Sequence, residues 1–283
     1  MSHEISYGVY AISIFAEFKD ALVKRLFELG CLGVIDEDER VTAFFPQGVD
    51  PGGLRVELDL MHSLLSSAGY PGALSFEHSI IPHADWCEFW KDSFKPMEIG
   101  RFTVLPPWEK KSDCRLNIII DPGMAFGTGQ HETTRSCLLL MELYSEAGQK
   151  ERFLDLGTGT GLLAIAAAGL GYKHVLGIDT DPAAIQAAQK NLELNNCRQV
   201  QLKTGDISLA CGSYDTIAAN LYSQLLVNLS PEIASRLNTG GVAILSGMLC
   251  GQEEEVIAAM KQQALTPVDK ITDGRWVSLA VKA

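Results

Sequence analysis

The chain has 283 residues, of which 47% are hydrophobic and 20% are charged. Such a composition is typical of a globular protein with a sizeable core, and the length allows one large domain or two ordinary ones. A net charge of −12 argues against a nucleic-acid substrate, because phosphate binding relies on clusters of Lys and Arg. With neither a signal-peptide pattern nor a membrane-length apolar stretch, a cytoplasmic protein without a membrane partner is expected.

The cysteines and histidines give no indication of a metal centre. The seven cysteines include no C-x-x-C pair, and the six histidines stand at no ligand spacing from them. We therefore predict no metal ion.

The first 82 residues alternate apolar segments with amphipathic ones. We predict strands over 7–15, 41–45 and 74–81 and helices over 19–29 and 52–67. This alternation favours a small α+β domain with a ferredoxin-like arrangement. It carries twelve acidic residues against five basic ones, or −7, including the run from Asp36 to Glu39. That run is expected to be a solvated loop or, alternatively, a surface that attracts a basic partner.

A second, larger domain follows a connecting segment. We expect domain limits of 1–82 and 97–283, with a linker helix within 83–96. In the larger domain we predict strands over 98–105, 116–120, 153–156, 174–178, 199–203, 214–219, 241–246, 267–271 and 276–281, and helices over 133–144 and 182–195. Thr180 or Asp181 caps the second of these helices. The short turn at Asp273-Gly274 forces the last two strands to be antiparallel.

Closely spaced glycines follow the apolar run over 153–156. Gly157, Gly159 and Gly161 predict a strand that runs through a tight turn into a helix, where glycine lets the backbone approach a ligand. Asp179 ends the next apolar run, where its carboxylate is placed to accept hydrogen bonds from both hydroxyls of a ribose. Together these residues predict a nucleoside site on an α/β sheet.

The glycine spacing narrows the choice of ligand. It is G-x-G-x-G rather than the dinucleotide pattern G-x-G-x-x-G, and Asp155 precedes it. A carboxylate beside the turn repels a pyrophosphate but suits a cationic amine. S-adenosylmethionine, which has an amine and a sulfonium but no phosphate, is therefore the favoured cofactor. An NAD-type site and a purely structural glycine turn are the alternatives.

A second glycine-rich segment spans 121–134, and Thr133 and Thr134 open the helix after it. Threonines at that position either cap the helix or offer hydroxyls to a ligand, and for Thr134 both roles stay open. His131 is expected to anchor this loop in preference to transferring a proton.

Four segments of the sequence resemble those of a known family. The segments GMAFGTGQHETT, DLGTGTG, GIDTDP and AANLY are similar to those of the PrmA family, the class I S-adenosylmethionine-dependent methyltransferases of ribosomal protein L11. The resemblance runs from about Asp85 to the C-terminus. It implies a seven-stranded Rossmann-like sheet ending in an antiparallel hairpin, and an enzyme that methylates lysine amines, with the N-terminal amine as a further candidate. The domain over 1–82 would then recognise the substrate, and a monomer is expected.

The resemblance also bears on single residues. It places Phe126 and Gly127 at the cofactor, beside Thr134, Asp155, Gly157, Gly159 and Asp179. It places Asn220 where many amine methyltransferases carry Asn-Pro-Pro-Tyr, so Asn220 is predicted to contact both the cofactor and the incoming amine; a cap at the strand end is the alternative. Asp206 follows a strand and either meets the adenine amino group or forms an ordinary Gly-Asp turn.

Other functions remain open at this stage. The same fold acts on RNA or small molecules in other enzymes, and the acidic surface disfavours RNA. A binding module that senses the nucleoside without turnover is a further alternative, and a dehydrogenase is a more distant one.

Overall fold

The computed structural model describes residues 6–15, 18–37, 40–46, 49–70, 72, 74–82, 94–121, 131–146 and 148–283. These residues belong to two compact units, Met1–Phe94 and Lys95–Ala283. The division between the units falls within the expected linker over 83–96. The helix expected there lies almost wholly outside the described residues, because 83–93 are not among them.

The N-terminal unit is a four-stranded antiparallel sheet with two helices. Its elements are β1 (Ser6–Ile14), α1 (Lys19–Glu28), β2 (Gly33–Glu37), β3 (Arg40–Pro46), α2 (Pro51–Ser67) and β4 (Leu74–Pro82). The strand order β2-β3-β1-β4 is that of a ferredoxin-like fold, as predicted. Ile12, Leu26 and Phe45 are buried in its core, and Asp50 caps α2 by accepting from the backbone N–H groups of Gly52 and Gly53.

The acidic run departs from its predicted structure. Asp36 and Glu37 are the last two residues of strand β2, so the expected solvated loop is wrong for them. Backbone pairing with β3 decides this, because Asp36 lies opposite Val41 and Glu37 opposite Arg40 in the antiparallel register. The other two residues of the run, 38 and 39, lie outside the described residues.

The second unit begins with a small three-stranded sheet. Its strands are β5 (Met97–Ile99), β6 (Phe102–Leu105) and β7 (Leu116–Ile119), in the order β5-β6-β7. The single strand predicted over 98–105 is wrong, because Gly100 has φ 54° and the chain reverses there, pairing Ile99 with Phe102.

The large sheet of this unit has seven strands. They are β8 (Arg152–Leu156), β9 (His174–Asp179), β10 (Val200–Thr204), β11 (Tyr214–Asn220), β12 (Leu237–Leu249), β13 (Thr266–Asp273) and β14 (Trp276–Lys282). The order is β10-β9-β8-β11-β12-β14-β13, with β14 antiparallel to both of its neighbours and the remaining pairs parallel. The predicted α/β fold with a C-terminal hairpin is confirmed.

Helices cover both faces of the large sheet. They are α3 (Glu132–Ser145), α4 (Leu162–Gly169), α5 (Pro182–Asn195), α6 (Ser223–Asn228), α7 (Ser230–Ser235) and α8 (Glu253–Gln262). One core cluster joins α3, α4 and α5 to one face, around Phe153 and Val175; the other joins α6, α7 and α8 to the opposite face, around Leu154 and Ile178. Alternate residues of the central strands supply the two cores. Among the described residues, no helix has the length and apolarity needed to cross a membrane.

Candidate functional site

The glycine turn connects β8 to α4 in a conformation that favours glycine at three positions. Gly157, Gly159 and Gly161 have φ angles of 74°, 53° and 81°. The backbone N–H groups of Gly157 and Thr158 both donate to the carbonyl of Ile178 in the neighbouring strand, at 2.8 and 2.9 Å. A Cβ atom on Gly157 would lie 2.6 Å from the Leu221 side chain. The turn is therefore held tightly against the ends of β9 and β11.

Asp155 lies beneath this turn with only 1% of its surface exposed. Its Oδ2 accepts from the Thr158 hydroxyl at 2.6 Å and from the backbone N–H of Ala164 at 3.0 Å, which links the strand to the start of α4. Its Oδ1 is buried and has no hydrogen-bond partner among the described residues. Burial raises the pKa of this carboxyl to about 7; the hydrogen bonds from Thr158 and Ala164 oppose the rise, and the charge of Asp179 adds to it.

Asp179 ends β9 beside the same turn. Its Oδ2 accepts from the backbone N–H of Gly159 at 2.9 Å, and its Oδ1 accepts from that of Asp181 at 3.0 Å. A carboxylate offers about four acceptor positions, so each oxygen keeps capacity for a further donor such as a ribose hydroxyl. Asp181 in turn caps α5 by accepting from Ala183, which selects Asp181 over Thr180 as the cap.

Asp206 follows β10 on the same edge of the sheet. It caps a short 3₁₀ turn over 207–209, with Oδ1 accepting from the backbone N–H and the hydroxyl of Ser208 at 2.9 and 2.5 Å. These hydrogen bonds, first that of the Ser208 hydroxyl, lower the pKa of the exposed Asp206 carboxyl. The structure therefore contains the Gly-Asp turn. The other carboxylate oxygen of Asp206, Oδ2, has no hydrogen-bond partner among the described residues and can accept one from a ligand.

Asn220 ends β11 next to the glycine turn. Ala219 and Leu156 are paired in the parallel register, so Asn220 and Gly157 leave adjacent strands side by side. The Asn220 side-chain nitrogen donates to the Thr133 hydroxyl at 3.1 Å, and that hydroxyl lies 2.8 Å from His131 Nδ1. This contact between residues 87 positions apart in the sequence thus joins the start of α3 to the end of β11.

The start of α3 is capped by a residue other than the threonines. His131 is the N-cap, and its Nδ1 accepts from the backbone N–H of Thr133 at 3.3 Å, so capping, one of the two roles left open for the threonines, belongs to His131. The Thr134 hydroxyl is buried and has no partner within the described part of the chain. This leaves ligand contact as the open role for Thr134. Phe126 and Gly127, also predicted to contact the cofactor, lie outside the described residues.

Two buried or half-buried asparagines on α5 were missed by the sequence analysis. Asn191, 1% exposed, donates to the Thr160 carbonyl at 2.9 Å and accepts from the backbone N–H of Asp121 at 2.9 Å. Asn195, one turn later, binds both backbone polar groups of Ile119. They fasten the end of β7 to the glycine turn. Two asparagines one turn apart, on the helix that follows β9 and Asp179, were the available signal.

All these polar groups lie at one edge of the large sheet. Asp155, Asp179, Asp206 and Asn220 stand at or just after the carboxyl ends of β8, β9, β10 and β11, which are neighbouring strands. That edge is where open α/β sheets bind their ligands. Among the described residues, no group of three or more His, Cys, Asp and Glu side chains is arranged to hold a metal ion.

The strand order, the glycine turn after β8 and the carboxylate at the end of β9 define the class I methyltransferase fold. A crystal structure of a ribosomal protein L11 methylase from Lactobacillus delbrueckii subsp. bulgaricus matches with a TM-score of 0.62 and 31% identity, over 67% of this chain and 98% of that one.

Sequence comparisons identify the family. The family model described as ribosomal protein L11 methyltransferase (PrmA) matches residues 10–283. The ribosomal protein L11 methyltransferase of Thermus thermophilus is 36% identical over 96% of this chain and 98% of that protein. Its counterpart from Heliobacterium modesticaldum is 38% identical over 96% of each. The chain therefore belongs to the ribosomal protein L11 methyltransferase (PrmA) family, and it is a methyltransferase.

Proposed function

We propose that this protein transfers methyl groups from S-adenosylmethionine to amines of ribosomal protein L11, on lysine side chains and at the N-terminus. Family membership and the names of relatives across nearly the whole chain support the substrate. The observation that carries the chemistry is the placement of Asn220, a neutral hydrogen-bonding side chain, beside Gly157 at the ligand edge of the sheet.

The residues around the glycine turn fit such a cofactor. Asp179 keeps acceptor capacity for the two ribose hydroxyls, and Gly157 permits a tight turn in which a Cβ would lie 2.6 Å from the Leu221 side chain. The Asp179 carboxylate suits a ligand that is cationic and carries no phosphate, and a nearby cation would favour the ionised form of the buried Asp155 carboxyl. When bound, S-adenosylmethionine supplies an electrophilic methyl group on a positively charged sulfur.

Asn220 is proposed to bind the incoming amine. Its amide oxygen, with neighbouring backbone carbonyls, accepts N–H bonds and thereby directs the nitrogen lone pair. Such alignment of reacting atoms supplies roughly 7–11 kcal/mol of barrier reduction in favourable cases. Only the neutral amine can react, and keeping a lysine of pKa ~10.4 neutral at pH 7 costs about 4.6 kcal/mol in water. Desolvation at the site lowers the lysine pKa and offsets part of that cost.

We further propose that the N-terminal unit recognises the protein substrate. Helix α2 buries Leu54 and Leu58 against its own sheet, while Val56, Leu60 and Leu64 are 66%, 54% and 63% exposed. These three residues, four apart, form an apolar stripe along one face of the helix. We call Val56, Leu60 and Leu64 the α2 stripe. An apolar stripe on a unit of net charge −7 over its first 82 residues suits a basic protein partner.

Mass spectrometry of purified ribosomal protein L11, after incubation with the enzyme and S-adenosylmethionine, tests the reaction. Mass increments of whole methyl groups on lysine or N-terminal amines are expected. Asn220→Ala should lower kcat by at least about a hundredfold while changing the cofactor Kd by less than about threefold. Asn228→Ala, an exposed asparagine in α6, is the matched control. Methylation of ribosomal RNA, with L11 unmodified, would contradict the proposal.

A second experiment tests the recognition unit. Leu60→Ser combined with Leu64→Ser should raise KM for L11 about tenfold, which is about 1.4 kcal/mol, with the cofactor Kd unchanged. Leu143→Ser in α3 removes a leucine that is 55% exposed in the other unit and should leave KM unchanged. If the variant with Leu60→Ser and Leu64→Ser has the same KM for L11 as the parent and the Leu143→Ser control, the α2 stripe plays no part in recognition.

A further inference from the structure

The hydrogen bonds at the start of α3 have a direction that is fixed by a backbone group. The N–H of Thr133 can only donate, and it points at Nδ1 of His131 over 3.3 Å. His131 Nδ1 must therefore present its lone pair, so it carries no proton. The ring proton of a neutral imidazole then sits on Nε2.

The same reasoning extends to the Thr133 hydroxyl. This hydroxyl lies 2.8 Å from the same Nδ1, and two acceptors cannot form a hydrogen bond, so the hydroxyl donates to the ring. Its oxygen is left with lone pairs only. The group of Asn220 that lies 3.1 Å from this oxygen must then be the amide nitrogen, which donates.

We propose that Thr133 is a positioning residue that fixes which way the Asn220 amide faces. This inference rests on the proposed function, in which Asn220 binds the incoming amine. With the amide nitrogen bound to Thr133, the amide oxygen points away from α3 and accepts the N–H of the substrate. In the reversed orientation the amide oxygen would face the lone pairs of the Thr133 hydroxyl, and the nitrogen would offer a donor to a substrate that itself needs an acceptor.

Thr133 is well held for this task. It is 1% exposed, and its carbonyl accepts from the Ser246 hydroxyl at 3.4 Å. Ser246 is the register partner of Asn220 in strand β12, and its hydroxyl also lies 2.6 Å from that of Ser278 in β14. The two ends of the Thr133–Asn220 contact are thus tied to the same position of the large sheet. The His131 ring packs against Trp276 at 4.8 Å between ring centroids, which limits its rotation.

Three variants separate positioning from plain structural support. Thr133→Val keeps the shape of the side chain and removes the hydroxyl, so kcat for L11 should fall about tenfold or more while the cofactor Kd changes by less than about threefold. Thr133→Ser restores the hydroxyl and should restore kcat to within about threefold of the parent. In the Asn220→Ala background, Thr133→Val should have no further effect on kcat, because the amide that it orients is gone.

Calorimetric binding of S-adenosylmethionine and the melting temperature accompany each variant. Additive losses in the double variant, a Thr133→Ser enzyme as slow as Thr133→Val, or a weakened cofactor Kd in place of a lower kcat would overturn the inference. Failure of the proposed function is distinguishable, since the parent enzyme would then leave the amines of L11 unmethylated. If Thr133→Val lowers the melting temperature by more than a few degrees, the inference is tested by Thr133→Ser alone. Its kcat should stay within about threefold of the parent value, and a larger loss would overturn the inference.

Discussion

The carboxylate of Asp155, at the penultimate position of β8, accepts a hydrogen bond from the backbone N–H of Ala164 in the first turn of α4. One buried acid thus joins the central strand to the helix that follows the glycine turn. Negative charge at a helix N-terminus is favourable, yet the complete burial of Asp155 favours the protonated form and raises its pKa to about 7.

Asp155→Asn should change how stability depends on pH. Because the folded pKa is about 7 and the unfolded value is near 3.8, the folded state binds the extra proton between these limits. The contribution of the Asp155 carboxyl to the free energy of unfolding is fully present below pH ~3.8 and is lost as the pH rises through about 7. Urea unfolding should show the parent losing about 2 kcal/mol more than Asp155→Asn between pH 5 and 7. The exposed Asp113→Asn should behave as the parent, and equal slopes in all three proteins would contradict the prediction.

Asp179→Ala should weaken cofactor binding. The change removes the proposed ribose acceptor and the hydrogen bond that holds Gly159 N–H, so calorimetry should show Kd at least about tenfold higher, or about 1.4 kcal/mol. Asp181→Ala is the matched control. It removes the cap of α5, at a cost of about 1 kcal/mol in unfolding free energy, while leaving Kd nearly unchanged. The reverse pattern would assign the ribose to another residue.

Asn191→Ala should destabilise the methyltransferase unit by about 2–4 kcal/mol. It leaves the Thr160 carbonyl and the Asp121 N–H without their partner in a buried position, and each unpaired group costs about 1–3 kcal/mol. Gln189→Ala, two residues earlier on an exposed position of the same helix, should cost less than about 0.5 kcal/mol. Urea denaturation measures both. Equal stability of the two variants would show that the hydrogen bonds of Asn191 to Thr160 and Asp121 do not stabilise the fold.

Gly157→Ala should lower both stability and cofactor affinity. An alanine at φ 74° costs about 1–2 kcal/mol in backbone strain, and its Cβ meets the Leu221 side chain at 2.6 Å. Gly251→Ala is a control with the strain alone, because φ there is 94° and no atom lies within 4 Å of the added carbon. We expect Gly157→Ala to be the less stable variant by thermal unfolding. If both lose the same amount, the contact with Leu221 relaxes without cost.

The local parts of the fold could be predicted from the sequence. Helix α5 was predicted with its observed limits, because Asp181 and Pro182 are signals that act within a few residues. Strand β2 was missed because its acidic residues mask an apolar beginning, and only pairing with β3 makes Asp36 and Glu37 extended. The break at Gly100 was missed because one glycine within an apolar run does not by itself announce a reversal.

The candidate site also has features that could be predicted from the sequence and features that could not. Asp155, Asp179 and the glycines stand at fixed spacings from predicted strands, so their neighbourhood at the sheet edge could be derived. The partners that hold them could not, since Asn191 reaches Asp121 across 70 residues and Asn220 reaches Thr133 across 87. Such contacts depend on which helix crosses which strand, and hydrophobic periodicity carries no information about that.

Strand β14 lies between β12 and β13, although it is made after both of them. While a growing chain lacks residues 276–282, β12 keeps one unpaired edge and β13 has no partner in the sheet at all. Val277, Leu279 and Val281, fully buried in the finished sheet, are the residues that close this gap. Assembly therefore cannot follow the order of synthesis, and an incomplete nascent chain exposes an apolar ladder that invites pairing with other chains. Of the seven strands of this sheet, the one that is synthesised last is the one that completes it.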